Sequence, residues 1–142
     1  MFSNEISILF VEDDATVRSD ISAFLHTIMF KNIYVAKDGQ EGFLKYSKHK
    51  PDIVLTDLTM PIMNGLDMSR AIRLIDENIP ILLITSHFEK EVTESAVDIG
   101  IDAYLFKPLT LERVKKILTK YVERILLQRE FKNEQKLLEQ YK

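Results

Sequence analysis

Four short apolar runs punctuate the chain, at residues 6–11, 53–56, 81–85 and 103–106, with a weaker fifth at 33–36. They are rich in Ile, Val and Leu and do not alternate with polar residues, the pattern of strands covered on both faces. Helical spacing fills the intervals. Val17, Ile21, Phe24, Leu25 and Ile28 share one helical face; Phe43, Leu44 and Tyr46 mark a second segment; Leu66, Ala71, Ile72 and Ile75 a third; Val92, Ala96, Val97 and Ile99 a fourth. The alternation βαβαβαβαβα predicts an α/β fold, a doubly wound parallel sheet of five strands with helices on both faces. Boundary residues agree. Asp14 and the pair Asp38-Gly39 are placed to start helices, Pro51 and Pro80 precede strands, and Gly100 closes the fourth helix.

The last helical pattern is longer than one face of a small domain needs. No Gly or Pro follows Pro108. Leu111, Val114, Leu118, Tyr121 and Ile125 keep a 3-4 spacing, and Leu127, Phe131, Leu138 and Tyr141 continue it on a shifted phase. A helix of about 30 residues is about 45 Å long at 1.5 Å per residue. Its second half is expected to project from the body, giving a domain over 5–122 and a helical extension over 123–142 suited to a coiled coil or a link to an effector domain.

Composition narrows the class. The 142 residues, 46% hydrophobic and 29% charged, suit one domain with its own core. There is no cysteine, hence no disulfide framework or thiol chemistry. No apolar run is long enough to span a membrane and no signal peptide opens the chain, so a cytoplasmic protein is expected. The net charge of −3 hides an asymmetry: the first 110 residues carry 10 basic and 17 acidic residues, whereas the remainder carries nine basic and five acidic. An acidic body argues against direct nucleic-acid contact and fits a cation site.

In such sheets ligands bind beyond the carboxyl ends of the strands. Those ends carry Glu12-Asp13-Asp14, Asp57, Thr85-Ser86 and Lys107-Pro108. Glu12, Asp13 and Asp57 in one crevice would repel one another unless a hard cation compensates, and Mg²⁺ suits a few carboxylates with water and phosphate. Lys107 supplies a compact positive charge for a phosphoryl oxygen and Thr85 a hydroxyl donor. A carboxylate can form an aspartyl-phosphate, and that transfer needs positioning and charge neutralisation more than covalent chemistry. The expected chemistry is therefore Mg²⁺-assisted phosphorylation of Asp57, with the backbone carbonyl of Thr59 as a further metal ligand. Each residue alone has a plainer reading: helix-start acids for 12–14, a turn acid for Asp57, a strand hydroxyl for Thr85, a core aromatic for Tyr104. The histidines His26, His49 and His87 show no metal spacing.

In order and spacing, the acidic pair, Thr-Asp-Leu-Thr-Met-Pro at 56–61, Asn64-Gly65, Ile-Thr-Ser at 84–86 and Phe-Lys-Pro at 106–108 resemble the response-regulator receiver domains of bacterial two-component signalling, over roughly residues 5–122. The resemblance implies a flavodoxin-like sheet of order 2-1-3-4-5. It also implies Asp57 as phosphoacceptor, Asp13 as direct Mg²⁺ ligand and Glu12 as a ligand through water. Thr85 would be the switch hydroxyl, Lys107 the phosphate-binding lysine, and Tyr104 the aromatic that swings inward when Thr85 moves. A cis Lys107-Pro108 bond is implied as well. Ser86 stands where alanine is frequent, and Thr59 and His87 hold variable positions that tune phosphoryl lifetime. The implied partner is a sensor histidine kinase. Self-association would use the face made by the fourth helix, fifth strand and fifth helix, or the C-terminal helix. Two other functions compete: a Mg²⁺-dependent phosphatase with an aspartyl nucleophile, and an idle receiver-like interaction module. Thr59 counts against the phosphatase, because such enzymes place a general acid two residues after the nucleophile.

Overall fold

The computed structural model describes residues 5–28, 30–86 and 90–141, with 90–93 described by backbone alone. Five strands alternate with five helices: β1 (Ser7–Val11), α1 (Ala15–Thr27), β2 (Asn32–Ala36), α2 (Gly39–His49), β3 (Ile53–Asp57), α3 (Gly65–Arg73), β4 (Ile81–Thr85), α4 (Lys90–Ile99), β5 (Ala103–Phe106) and α5 (Leu111–Gln140). All pairings are parallel and the strand order is β2-β1-β3-β4-β5. The expected α/β sheet, its order and the long C-terminal helix are therefore present.

The non-alternating strands have the predicted cause. β3 and β4 are buried at every position. On one face Ile8, Phe10, Leu55 and Leu82 pack with Ile21 and Leu25 of α1 and with Val114, Leu118 and Val122 of α5. On the other, Leu9, Val11, Val54 and Ile81 pack with Tyr46 of α2 and with Met68 and Ile72 of α3. Leu83 continues that face to Ala96 and Ile99 of α4. Two apolar faces, each needing a helical layer, leave the strand ends as the place where polar groups collect.

Helix boundaries follow side-chain capping. Asp14 accepts from the amides of Thr16 and Val17, and Asp38 from that of Glu41. Asn64 and Thr110 cap α3 and α5 in the same way, which apolar spacing does not indicate. Gly100 closes α4 at φ +83°. The α4 C-terminus is further fastened by the Arg73 guanidinium, which donates to the carbonyls of Asp76, Ile79, Ile99 and Gly100 and pairs with Asp102.

Four apolar assignments need correction. Leu44, Val97 and Leu111 face outward, and Ile75 lies beyond the end of α3, which stops at Arg73. Val92 and His87 lie outside the residues whose side chains are described. α5 runs unbroken from 111 to 140; its buried side chains end at Ile125, and Leu127, Phe131, Leu138 and Tyr141 are exposed. Arg129 ties this stretch back to the body through an ion pair with Asp52. Among the described residues no helix is long and apolar enough to cross a membrane.

The loop after β3 holds a strained residue. Ile62 sits at φ +70°, where the Met63 amide donates to the Pro61 carbonyl at 2.7 Å. A β-branched side chain in the left-handed region costs about 1–2 kcal/mol. Ile62 is 76% exposed, so its removal forfeits little burial. Ile62→Gly is expected to stabilise the fold by about 0.5–1 kcal/mol after the added chain entropy of glycine is subtracted. An unchanged or lowered thermal midpoint would contradict this.

Candidate functional site

The parallel register places the polar strand ends side by side. Val11 pairs with Thr56, Asp57 with Ile84, and Thr85 with Phe106. The residues one step further, Glu12 and Lys107, therefore flank Asp57 and Thr85 on adjacent strands about 4.8 Å apart. The four strand ends named from sequence come together at one edge of the sheet.

Asp57 is at the centre. It is 3% exposed. Lys107 Nζ lies 3.2 Å from both of its carboxylate oxygens, and the Leu58 amide donates to Oδ1 at 2.9 Å. The backbone around it is closely held. Gly65 donates to the Leu58 carbonyl, and a Cβ on Gly65 would stand 2.2 Å from the Asp57 carbonyl oxygen. Only glycine lets α3 start this near the acid, which is the physical content of the Asn64-Gly65 pair. The buried Thr56 hydroxyl donates to the same Asp57 carbonyl at 2.9 Å.

Glu12 is 2% exposed and its Oε2 accepts from the Asp13 amide at 3.0 Å. Burial, together with the hydrogen bond and negative charge of Asp57 and a hydrogen bond to Asp13, raises its carboxyl from 4.5 to about 8, against the opposing charge of Lys107. Asp13 is exposed at the rim. Oxygens of Glu12, Asp13 and Asp57 lie within 4.8 Å of one another. Three carboxylates facing one lysine make an all-oxygen, negatively charged donor set, which a hard divalent cation fits.

Thr85 is buried, and its carbonyl accepts from the Lys107 amide at 2.9 Å, joining the ends of β4 and β5. The Lys107-Pro108 bond is cis, as the resemblance implied. Tyr104, opposite Leu83 in the ladder, is half-buried against Leu83, Ala96 and Ile99, and burial raises its hydroxyl above the usual range. Thr59 is exposed in the loop after β3, two residues from Asp57. A cavity of about 760 Å³ opens beside the site between α1 and the turn after β5, lined by Glu12, Val17, Ile21, Lys107 and Leu109.

One residue at the site carried no sequence signal. Arg18, on the first turn of α1, donates to the carbonyls of Glu12 and Asp13 at 2.8 and 3.3 Å. An arginine on a surface helix is ordinary, and only the loop's path back over α1 gives it that role.

Comparison with known proteins agrees with this geometry. Residues 8–119 match the family model of the response regulator receiver domain. The chain is 32% identical over 127 residues to the chemotaxis protein CheY-3 of Vibrio cholerae, covering 88% of this chain and 98% of that protein. A crystal structure of the N-terminal domain of an uncharacterised Wolinella succinogenes protein superposes with TM-score 0.78 at 29% identity, covering 87% of this chain and 98% of that one. The CheY of Borrelia burgdorferi, solved in complex with CheX, BeF3 and Mg²⁺, superposes with TM-score 0.75 at 25% identity, covering 82% of this chain and 88% of that one. With the sheet order, the acidic pocket and the aligned length in agreement, the chain belongs to the response regulator receiver domain family.

Proposed function

We propose that this domain is a switch driven by phosphorylation of Asp57. The observation that carries the reading is the Asp57 carboxylate, buried at a strand end with Lys107 Nζ equidistant from its two oxygens and two further carboxylates beside it. A carboxylate so placed is both a nucleophile and the nearest counter-charge of a mobile ammonium.

In the step, a carboxylate oxygen of Asp57 attacks phosphorus in line and forms the new P–O bond, while the bond from phosphorus to the donor breaks and the donor departs with its electron pair. Lys107, half exposed on a flexible stem, releases the carboxylate and pairs with a phosphoryl oxygen instead. The Thr85 hydroxyl donates to a second. Glu12 and Asp13, with the carbonyl of Thr59, would hold Mg²⁺, which supplies neutralisation of the phosphoryl oxygens. The Borrelia CheY complex contains Mg²⁺, which supports that assignment.

The donor in this reading is a sensor histidine kinase in the cytoplasm, and the cavity beside Glu12 and Lys107 offers a way in from the α1 side. The output runs from Thr85 to Tyr104 and the face formed by α4, β5 and α5. Self-association through that face or through the exposed second half of α5 belongs to the same proposal. The domain's own chemistry is limited to gaining and losing the phosphoryl group. Thr59 lacks the proton-transferring group that a turnover phosphatase would need there.

Acetyl phosphate with Mg²⁺ is expected to add one phosphoryl group to the intact chain, seen by mass, and chelation of the metal should prevent it. Equal incorporation in excess EDTA would overturn the metal-assisted reading.

A further inference from the structure

Glu12 and Asp13 project from a short loop between β1 and α1. Asp13 is exposed, so packing does little to orient its side chain; its direction follows from its backbone and from its hydrogen bond with Glu12. That backbone is held from several sides. The Glu12 amide donates to the Ala36 carbonyl at 3.0 Å, and Asp14 Oδ1 accepts from the amides of Thr16 and Val17 at 2.9 and 3.0 Å. The two carbonyls between these anchors, those of Glu12 and Asp13, are both taken by one donor, Nη1 of Arg18.

We infer that Arg18 is a positioning residue for the cation site: by holding both carbonyls it fixes the backbone from which the two acids project, and so preorganises their oxygens for Mg²⁺. The inference rests on the Mg²⁺-dependent reading above. Mg²⁺ demands near-ideal octahedral geometry and dehydrates reluctantly, so it rewards a fixed ligand set. Groups that orient metal ligands without touching the metal typically carry 10–100-fold in affinity.

Two effects of Arg18 have opposite sign, and this makes the inference decidable. Its charge repels a cation, so if charge were all that mattered, removing it would tighten Mg²⁺ binding. Its hydrogen bonds order the loop, so removing them loosens binding. The guanidinium is partly exposed and solvent screens its charge, whereas the order it imposes on the carbonyls is local and unscreened. The positional effect should prevail.

The test is Mg²⁺ titration by calorimetry of the full chain, alongside urea unfolding. Arg18→Ala is expected to bind Mg²⁺ about 10-fold more weakly than wild type. Arg18→Lys, which keeps the charge and can reach one carbonyl, is expected to recover most of the loss. Equal or tighter binding by Arg18→Ala overturns the inference. Should Arg18→Ala not fold, Arg18→Lys decides alone: a loss of about threefold supports the inference on the same grounds, and unchanged affinity overturns it. A wild-type chain that binds no Mg²⁺ would overturn the parent reading, whereas wild-type binding with a tighter Arg18→Ala overturns only the role of Arg18.

Discussion

Asp57→Asn should accept no phosphoryl group from acetyl phosphate, whatever the Mg²⁺ concentration. The amide has nearly the shape of the acid, and the buried position that holds Asp57, with the Leu58 amide 2.9 Å from Oδ1, can hold an asparagine. What is lost is the nucleophile, because an amide oxygen does not form a stable acyl phosphate under these conditions. The fold should survive. The loss is the pairing with Lys107, whose ammonium is half exposed and can turn to solvent. Incorporation is expected to fall to background, measured by intact mass and by hydroxylamine lability of the wild-type adduct. A variant phosphorylated as fully as wild type at another residue would remove Asp57 from its proposed role.

The second large effect is on stability, through Glu12. Its carboxyl is raised from 4.5 to about 8 in the folded protein, chiefly by burial and then by Asp57. The folded state therefore holds this proton more tightly than the unfolded chain. The resulting stabilisation is fully present below pH 4.5 and is lost as pH rises through about 8. Metal-free protein should thus become less stable between about pH 5 and 8.5, by an amount on the order of 3 kcal/mol. Mg²⁺ favours the charged carboxylate and should flatten the slope, adding most stability at the alkaline end. Urea unfolding across this range, with EDTA and with Mg²⁺, measures it. Glu12→Gln is the control, since it removes the titration and should remove the slope. A metal-free wild type as stable at about pH 8.5 as at about pH 5.5, or a Glu12→Gln variant with the same slope as wild type, would show that Glu12 does not carry a tightly held proton.

Much of the site could be read before the fold was known because its residues mark strand ends. A buried strand is recognisable as an apolar run, and the first polar residue after it must lie at the carboxyl edge. That logic located Glu12, Asp13, Asp57, Thr85 and Lys107 together. It could not measure how close they come. The 3.2 Å approach of Lys107 to both oxygens of Asp57, and the raised carboxyl of Glu12, follow from register and depth.

Helix faces were less legible. Leu44, Ile75 and Val97 match an apolar period yet point to solvent, because a period identifies a stripe without saying how wide a stripe the neighbouring layer covers. α3 also ends at Arg73, two residues before Ile75. Arg73 itself binds four carbonyls from two segments, 76–79 and 99–100, a role invisible in a helix that simply reads basic at its end.

Residue order is enough to specify the alternation of strands and helices, their caps at Asp14, Asp38 and Gly100, and the set of polar residues that a parallel sheet must bring to one edge. These are local properties, governed by backbone conformation and by which residues tolerate burial. The tertiary structure alone decided the contacts between segments distant in the chain: Gly65 against the carbonyl of Asp57, Arg129 against Asp52, and Arg18 beneath the acidic loop. Such contacts depend on where two elements meet in space, and no spacing within either element encodes that.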